Sequence, residues 1–143
     1  MLARLFEKLA GWAPLPLRIV VGIIFVAHGS QKLFGWFGGH GFSAVVQMVG
    51  SLGFVPATFW AVLVVFAEFG GGILLILGLF TRFAAVMILI NMIVAVTMVH
   101  WKMGGFFLPG GIEYALSLAA AALSLVFSGA GKLSIDKLIH WKL

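Results

Sequence analysis

Four ionisable side chains stand where a lipid-spanning segment would carry none. Arg18, His28 and Lys32 interrupt the apolar stretch LRIVVGIIFVAHGSQKLFG of residues 17–35, and Glu68 interrupts a second one, AEFGGGILLILGLFTR. Moving an Arg, Lys or Asp to the bilayer centre costs roughly 2.5 to 3.5 kcal/mol on insertion scales, so such residues pair, snorkel to the surface or work. A carboxylate at mid-depth can carry protons or bond a polar ligand, and an imidazole beside it can relay the proton or bond a carbonyl. The same two groups can also satisfy each other and clamp two helices. Glu68 and His28 are thus the candidate catalytic pair, and both readings predict that they touch.

The chain that must position them has 143 residues, 63% hydrophobic and 9% charged, where soluble domains carry about 25% charged residues. It reads as a polytopic membrane protein, one membrane domain over residues 1–143. Its length suits about four spans of roughly 20 residues each. The fold class is all-α, a four-helix bundle with spans near residues 16–35, 57–79, 83–101 and 112–127. Short interfacial helices are expected at the N-terminus, in the first outer loop and at the C-terminus. The net charge of +5 comes from single, dispersed Lys and Arg residues, which form no patch for nucleic acid. There is no cysteine, so thiol redox chemistry and thiolate metal sites are excluded and a redox role needs a bound cofactor or a partner.

Residues 1–12 put Leu2, Leu5, Phe6, Leu9 and Trp12 at helical spacing opposite Arg4 and Lys8, the pattern of a helix lying in the membrane surface. The apolar run 15–27 that follows imitates a signal peptide, but no A-x-A-like site comes after it and the span is read as retained. In the first span Arg18, Gly22, Phe25, Gly29 and Lys32 share one face, whose glycines allow another helix to come close. Arg18 and Lys32 fall at the two surfaces, where snorkelling leaves them no need of a buried partner. Ser43 is placed to cap a short helix that runs to Leu52 and is closed by Gly53. Thr81 and Arg82 form a tight turn between the second and third spans. In the third, Asn91 and His100 lie nine residues apart and so on opposite sides of an α-helix. Glu113, Ser117, Ala120 and Ser124 form a small polar stripe on the fourth, of the kind that packs helices.

Seven Lys and Arg residues (Arg4, Lys8, Arg18, Arg82, Lys132, Lys137 and Lys142) fall on one side of this arrangement, and Lys32 and Lys102 on the other. The positive-inside rule then puts both termini in the cytoplasm. His28, Lys32, His100 and Glu113 fall in the outer half, with Glu68 at mid-depth. His28 and His100 differ in expected depth by roughly 9 Å, which argues against one haem between them, and no H-x-x-x-H spacing suggests a metal. The glycine run Gly70 to Gly72 lies inside an apolar span and is no phosphate loop.

HGSQKLFG after the first span, AEFGGGILLILGLFTR across the second, His100 at the end of the third, GGIEYALSL opening the fourth and GAGKLSID at the close together resemble the DoxX family. The resemblance implies a small bacterial inner-membrane protein and carries over His28, Gln31, Lys32, Glu68, Arg82, His100 and Glu113 by motif position. Founding members look like a subunit of a thiosulfate:quinone oxidoreductase, and others are linked to quinone or oxidative stress. A related eukaryotic branch resembles membrane chaperones.

The leading expectation is a membrane subunit of a quinone-linked redox system. Glu68 and His28 would handle protons, and Gln31, Lys32, His100 and Glu113 would line a polar pocket for the quinone in the outer half. A non-enzymatic membrane chaperone or adaptor, in which these residues only stabilise the bundle, is the alternative. A small-molecule or proton permease is weaker, because four spans would have to oligomerise to line a path. His100 and Glu113 flank the third loop and would either close a polar entrance or tie that loop down as a salt bridge. The lipid bilayer is the certain partner; a redox or membrane protein partner and a homo-oligomer are compatible with the pattern.

Overall fold

A computed structural model describes residues 6–7, 9–103, 105–107 and 110–139. They form an all-helical bundle. α1 spans Pro14–Phe34, α3 Ala57–Leu77 and α4 Thr81–Met103, and each is long and apolar enough to cross a membrane. α5, Ile112–Ser128, is apolar but shorter, at 17 residues. Among the shorter helices are α2 at Gly41–Ser51, between α1 and α3, and α6 at Ile135–Leu138 in the tail. The expected N-terminal surface helix lies partly outside the described residues; Phe6, Glu7, Leu9 and Ala10 within it are helical.

Side-chain bulk decides how the long helices meet. Gly22 and Gly72 face each other, and a Cβ on Gly72 would lie 2.8 Å from the Gly22 carbonyl oxygen. A Cβ on Gly29 would lie 2.6 Å from the Phe69 Cα. The glycine face of α1 thus lets the α3 backbone come within contact, as small residues do between membrane helices. α4 packs along α5, with Ala84, Ala85 and Ile88 against Leu118, Ala122 and Leu125, while Phe25 of α1 and Leu75 of α3 fill the centre. α5 turns Ala115, Leu118, Ala119 and Ala122 inward. The stripe expected to pack helices does not do so in the bundle: Ser117, Ala120 and Ser124 are exposed, and two of its carbonyls, those of Glu113 and Ser124, accept hydrogen bonds from Ser117 and Ser128.

The α3–α4 turn occupies residues 78–80, one step before the expected position, because Thr81 and Arg82 already belong to α4. Gly78 ends α3 at φ +64°, with Gly78 N–H donating to the Leu75 carbonyl and Leu79 N–H to that of Leu74, a Schellman arrangement that suits glycine. α2 begins at Gly41 with no side-chain cap, so Ser43 lies inside it rather than at its start. Its buried Val45 and Val49 pack on Ala61 and Val65 of α3.

The foot of the bundle, where α1 and α4 begin, corrects the reading of Arg18 as a surface anchor. Arg18 is 2% exposed. Its Nη2 donates to the Leu133 carbonyl, and the Asp136 carboxylate acts on its charge from nearby. Asp136 also accepts from the backbone N–H groups of Phe80 (2.7 Å) and Thr81 (3.0 Å), capping α4 at its positive end. The described part of the tail folds back onto the foot. Arg82, expected only to mark the cytoplasmic side, donates to the Phe127 carbonyl at the end of α5.

The α1–α3 contact is open to test. Gly29→Leu should destabilise the protein by about 1–3 kcal/mol, the usual cost of overpacking. Gly50→Ala in α2 meets only the Ala57 Cβ at 3.4 Å, and should be neutral or stabilising by up to about 1 kcal/mol because alanine favours helix. Thermal unfolding of both in detergent, followed by loss of the monodisperse peak, gives the comparison; equal melting temperatures would disprove the contact.

Candidate functional site

Glu68 is 2% exposed in the middle of α3. Its Oε1 accepts from the Lys32 ammonium of α1 and, at 2.8 Å, from Nδ2 of Asn91 of α4. One carboxylate oxygen therefore ties three helices together. Its other oxygen, Oε2, is buried and has no hydrogen-bond partner among the described residues.

The partner is Lys32 and not His28, which corrects the expected Glu68–His28 contact. Side chains on a helix lean toward its N-terminus. Lys32 therefore reaches back down α1 by about one 5.4 Å turn, to the level where Gly29 has brought α1 and α3 together. The His28 ring leans below that level and lies against Tyr114 of α5, at 6.2 Å between ring centroids and 48° between planes. Lys32 was also expected to be a surface anchor; its side chain keeps 29% exposure while its ammonium is held inward.

These groups stand on the wall of a cavity of about 460 Å³ bounded by all five helices α1 to α5. His28, Lys32, Glu68, Asn91, His100 and Tyr114 are its polar groups, and the rest of the lining is largely apolar, including Phe25, Leu52, Trp60, Ala95 and Leu118. The cavity lies where α3 and α4 part. Gly71–Leu77 packs against α4, whereas Ala57–Val65 packs against α2. Phe66 and Ile90 line the cavity and are also 51% and 57% exposed on the flanks of α3 and α4, so it opens sideways at span depth.

Two departures from α-helix shape this wall. α3 widens to a π-helical turn at Phe66–Gly70, which contains Glu68, and α4 does so at Ala95–His100. Such turns accommodate an extra residue and recur at functional sites. In α4 the extra residue sets the later side chains back by about 100°. Asn91 and His100, expected on opposite faces, consequently line the same cavity. His100 Nδ1 lies 3.2 Å from the Gly110 carbonyl oxygen. A carbonyl can only accept, so Nδ1 is the donor in this contact.

The remaining expected lining residues lie elsewhere. Gln31 turns to the loop after α1, where its Nε2 donates to the Phe37 carbonyl at 3.2 Å. Glu113 is not on the cavity wall; its backbone N–H donates to the Phe106 carbonyl at 3.1 Å, and the His100 ring bonds Gly110 rather than the Glu113 carboxylate. Asn91 and Tyr114 also line the cavity, and neither is among the residues expected there. The turn at 78–80 makes Glu68 and Asn91 near mirror positions in an antiparallel hairpin, a signal present in the sequence.

Lys32→Met strands a buried carboxylate, whereas Lys32→Met with Glu68→Gln removes both charges. The double variant should therefore melt above the single Lys32→Met variant, with a coupling of about 1–3 kcal/mol between the positions. His28→Ala should show no such coupling to Glu68. Additive melting shifts for Lys32 and Glu68 would contradict the ion pair.

A DoxX family profile matches residues 13–101, which hold α1 to most of α4. An uncharacterised protein of Haemophilus influenzae is 38% identical over 123 residues, 84% of this chain and 85% of that protein. The Bacillus subtilis protein named "Putative oxidoreductase CatD" is 30% identical, over 86% of this chain and 84% of that protein. The inner membrane protein YphA of Escherichia coli is 33% identical, over 84% and 85% respectively. No solved structure matches. With its profile match, its relatives and its apolar helical bundle, the chain belongs to the DoxX family of membrane proteins.

Proposed function

We propose that the protein is a membrane subunit of a quinone-linked redox system and that the cavity takes the quinone ring. The observation that carries this reading is a buried, ion-paired carboxylate on the wall of an otherwise largely apolar cavity at span depth. At about 460 Å³, the cavity is within the range of roughly 300–1,000 Å³ usual for small-molecule sites. Its residues fit such a ring: the apolar wall matches the ring faces, and Lys32 and His28 offer N–H donors to an oxygen. A quinone would supply the carriage of two electrons and two protons. The chain holds the ring, keeps water from it and presents a carboxylate that can take up a proton. The relative whose name calls it an oxidoreductase supports the same direction.

In this reading the protein sits in a bacterial inner membrane with both termini in the cytoplasm, the foot with Arg18 and Arg82 inward. A chain without cysteine permits a direct test. Phe107→Cys should react with a membrane-impermeant thiol reagent in intact spheroplasts, and Lys137→Cys only after permeabilisation; the reverse pattern would overturn the orientation.

For the ligand, protein purified from native membranes should carry quinone detectable by mass spectrometry. A short-chain benzoquinone should raise the melting temperature saturably in the wild type, as a ligand of the folded state does. Ala95→Phe, which fills the cavity, should abolish that rise. No co-purified quinone and no saturable shift would remove the redox reading and leave Glu68 as a clamp of the bundle.

A further inference from the structure

The cavity is long for a single ring. Its lining on α4 runs from Met87 to His100, roughly 20 Å at the helical rise. It also opens at span depth between Phe66 and Ile90, both exposed on the lipid-facing flanks. A polar group protruding through that gap would give up water without gaining a partner, so any part of a ligand that projects there must be apolar.

A second concavity begins beside the gap. It is a groove between α3, the C-terminal end of α1 and the start of α2. Leu33, Phe42, Val62, Phe66, Phe69 and Gly70 line it, and none carries a polar side chain. Phe66 is common to both linings. Along α3, Leu63 and Phe66 belong to the cavity and Val62 and Phe66 to the groove, and all three are exposed. The route from one to the other therefore crosses one lipid-facing strip of α3. Gly70 gives the Phe66 ring its place against the helix, since a Cβ there would lie 3.2 Å from that ring, closer than carbon atoms pack at their optimum.

We infer that the ligand has two parts, a ring in the cavity and a hydrocarbon chain that leaves between Phe66 and Ile90, crosses Phe66 and lies in the groove of Leu33, Phe42, Val62 and Phe69. This rests on the reading that the cavity binds a quinone-type ring, and it names the class of ring as one that carries a long apolar chain. Moving such a chain from lipid to protein brings no hydrophobic gain. The groove holds it by contact packing, and a side chain that fills the groove displaces it.

The test uses the full chain in lipid nanodiscs with three probes: a benzoquinone without a chain, the same ring bearing a decyl chain, and decanol. Val62→Trp fills the groove from the lipid-facing side of α3. It should weaken binding of the decyl quinone at least about fivefold, the scale of a modest overpacking, and leave the chainless ring within about twofold of the wild type. Ile93→Trp, exposed on α4 and in neither lining, should change neither. Each variant is compared with the wild type for the same probe, so partitioning of that probe into lipid cancels. Equal effects of Val62→Trp on both quinones, or none on either, would overturn the chain site while leaving ring binding in place. Failure of both quinones to bind the wild type would overturn ring binding itself. Decanol bound as tightly as the decyl quinone would assign the groove to ordinary lipid chains and overturn the two-part ligand. If Val62→Trp does not fold, a diazirine midway along the decyl chain decides in the wild type: labelling of Leu33, Phe42 or Val62 is expected, and labelling that misses all three would overturn the path.

Discussion

A carboxylate buried at the midpoint of an apolar bundle has to be met by donors, and the arrangement of α1, α3 and α4 follows from that requirement. Charge at this depth is costly enough that an unpartnered Glu68 would destabilise the whole fold. Its two donors come from different helices, Lys32 from α1 and Asn91 from α4. The glycines of α1 make this feasible, because backbone contact at Gly29 and Phe69 brings Lys32 within reach. Packing and electrostatics are here one device: bulk at Gly29 would part the helices and the ion pair together.

The same logic appears at the foot with different parts. Arg18 is as deeply buried as Glu68, and it is met by a tail that folds back beneath the bundle. Asp136 serves both Arg18 and the first turn of α4. Gly78 is where these elements converge, since a Cβ there would overlap the Arg18 guanidinium. The foot is thereby closed, and at the other end α3 leaves α4 to pack on α2. A bundle clamped at one end and parted at the other encloses the cavity in the resulting wedge.

Composition, the turn signals and the few intramembrane charges are enough to place four apolar helices, the hairpin and Glu68. Direction and register are harder. Choosing Lys32 over His28 depends on which way a helical side chain leans and on where Gly29 meets α3, and a count of residues from the span centre contains neither. Placing Asn91 and His100 on one wall depends on a π-helical turn, which hydrophobic periodicity does not announce. Arg18 looks like a surface anchor until the tail is seen to cover it. Ser43 has the chemistry of a cap, yet Gly41 starts the helix earlier at its positive φ.

The sideways opening of the cavity, between the exposed flanks of Phe66 and Ile90, would change what concentration means for a ligand of the kind proposed. A ligand that arrives through the flank of a membrane helix bundle comes from the lipid phase, in which an apolar molecule is strongly enriched over water. Occupancy is then governed by the mole fraction of ligand in the bilayer. Diluting the membrane with extra lipid would empty the cavity at constant total ligand, and diluting the suspension with buffer would scarcely alter it. A site filled by that route would sample a two-dimensional reservoir, and even modest intrinsic affinity would keep it occupied.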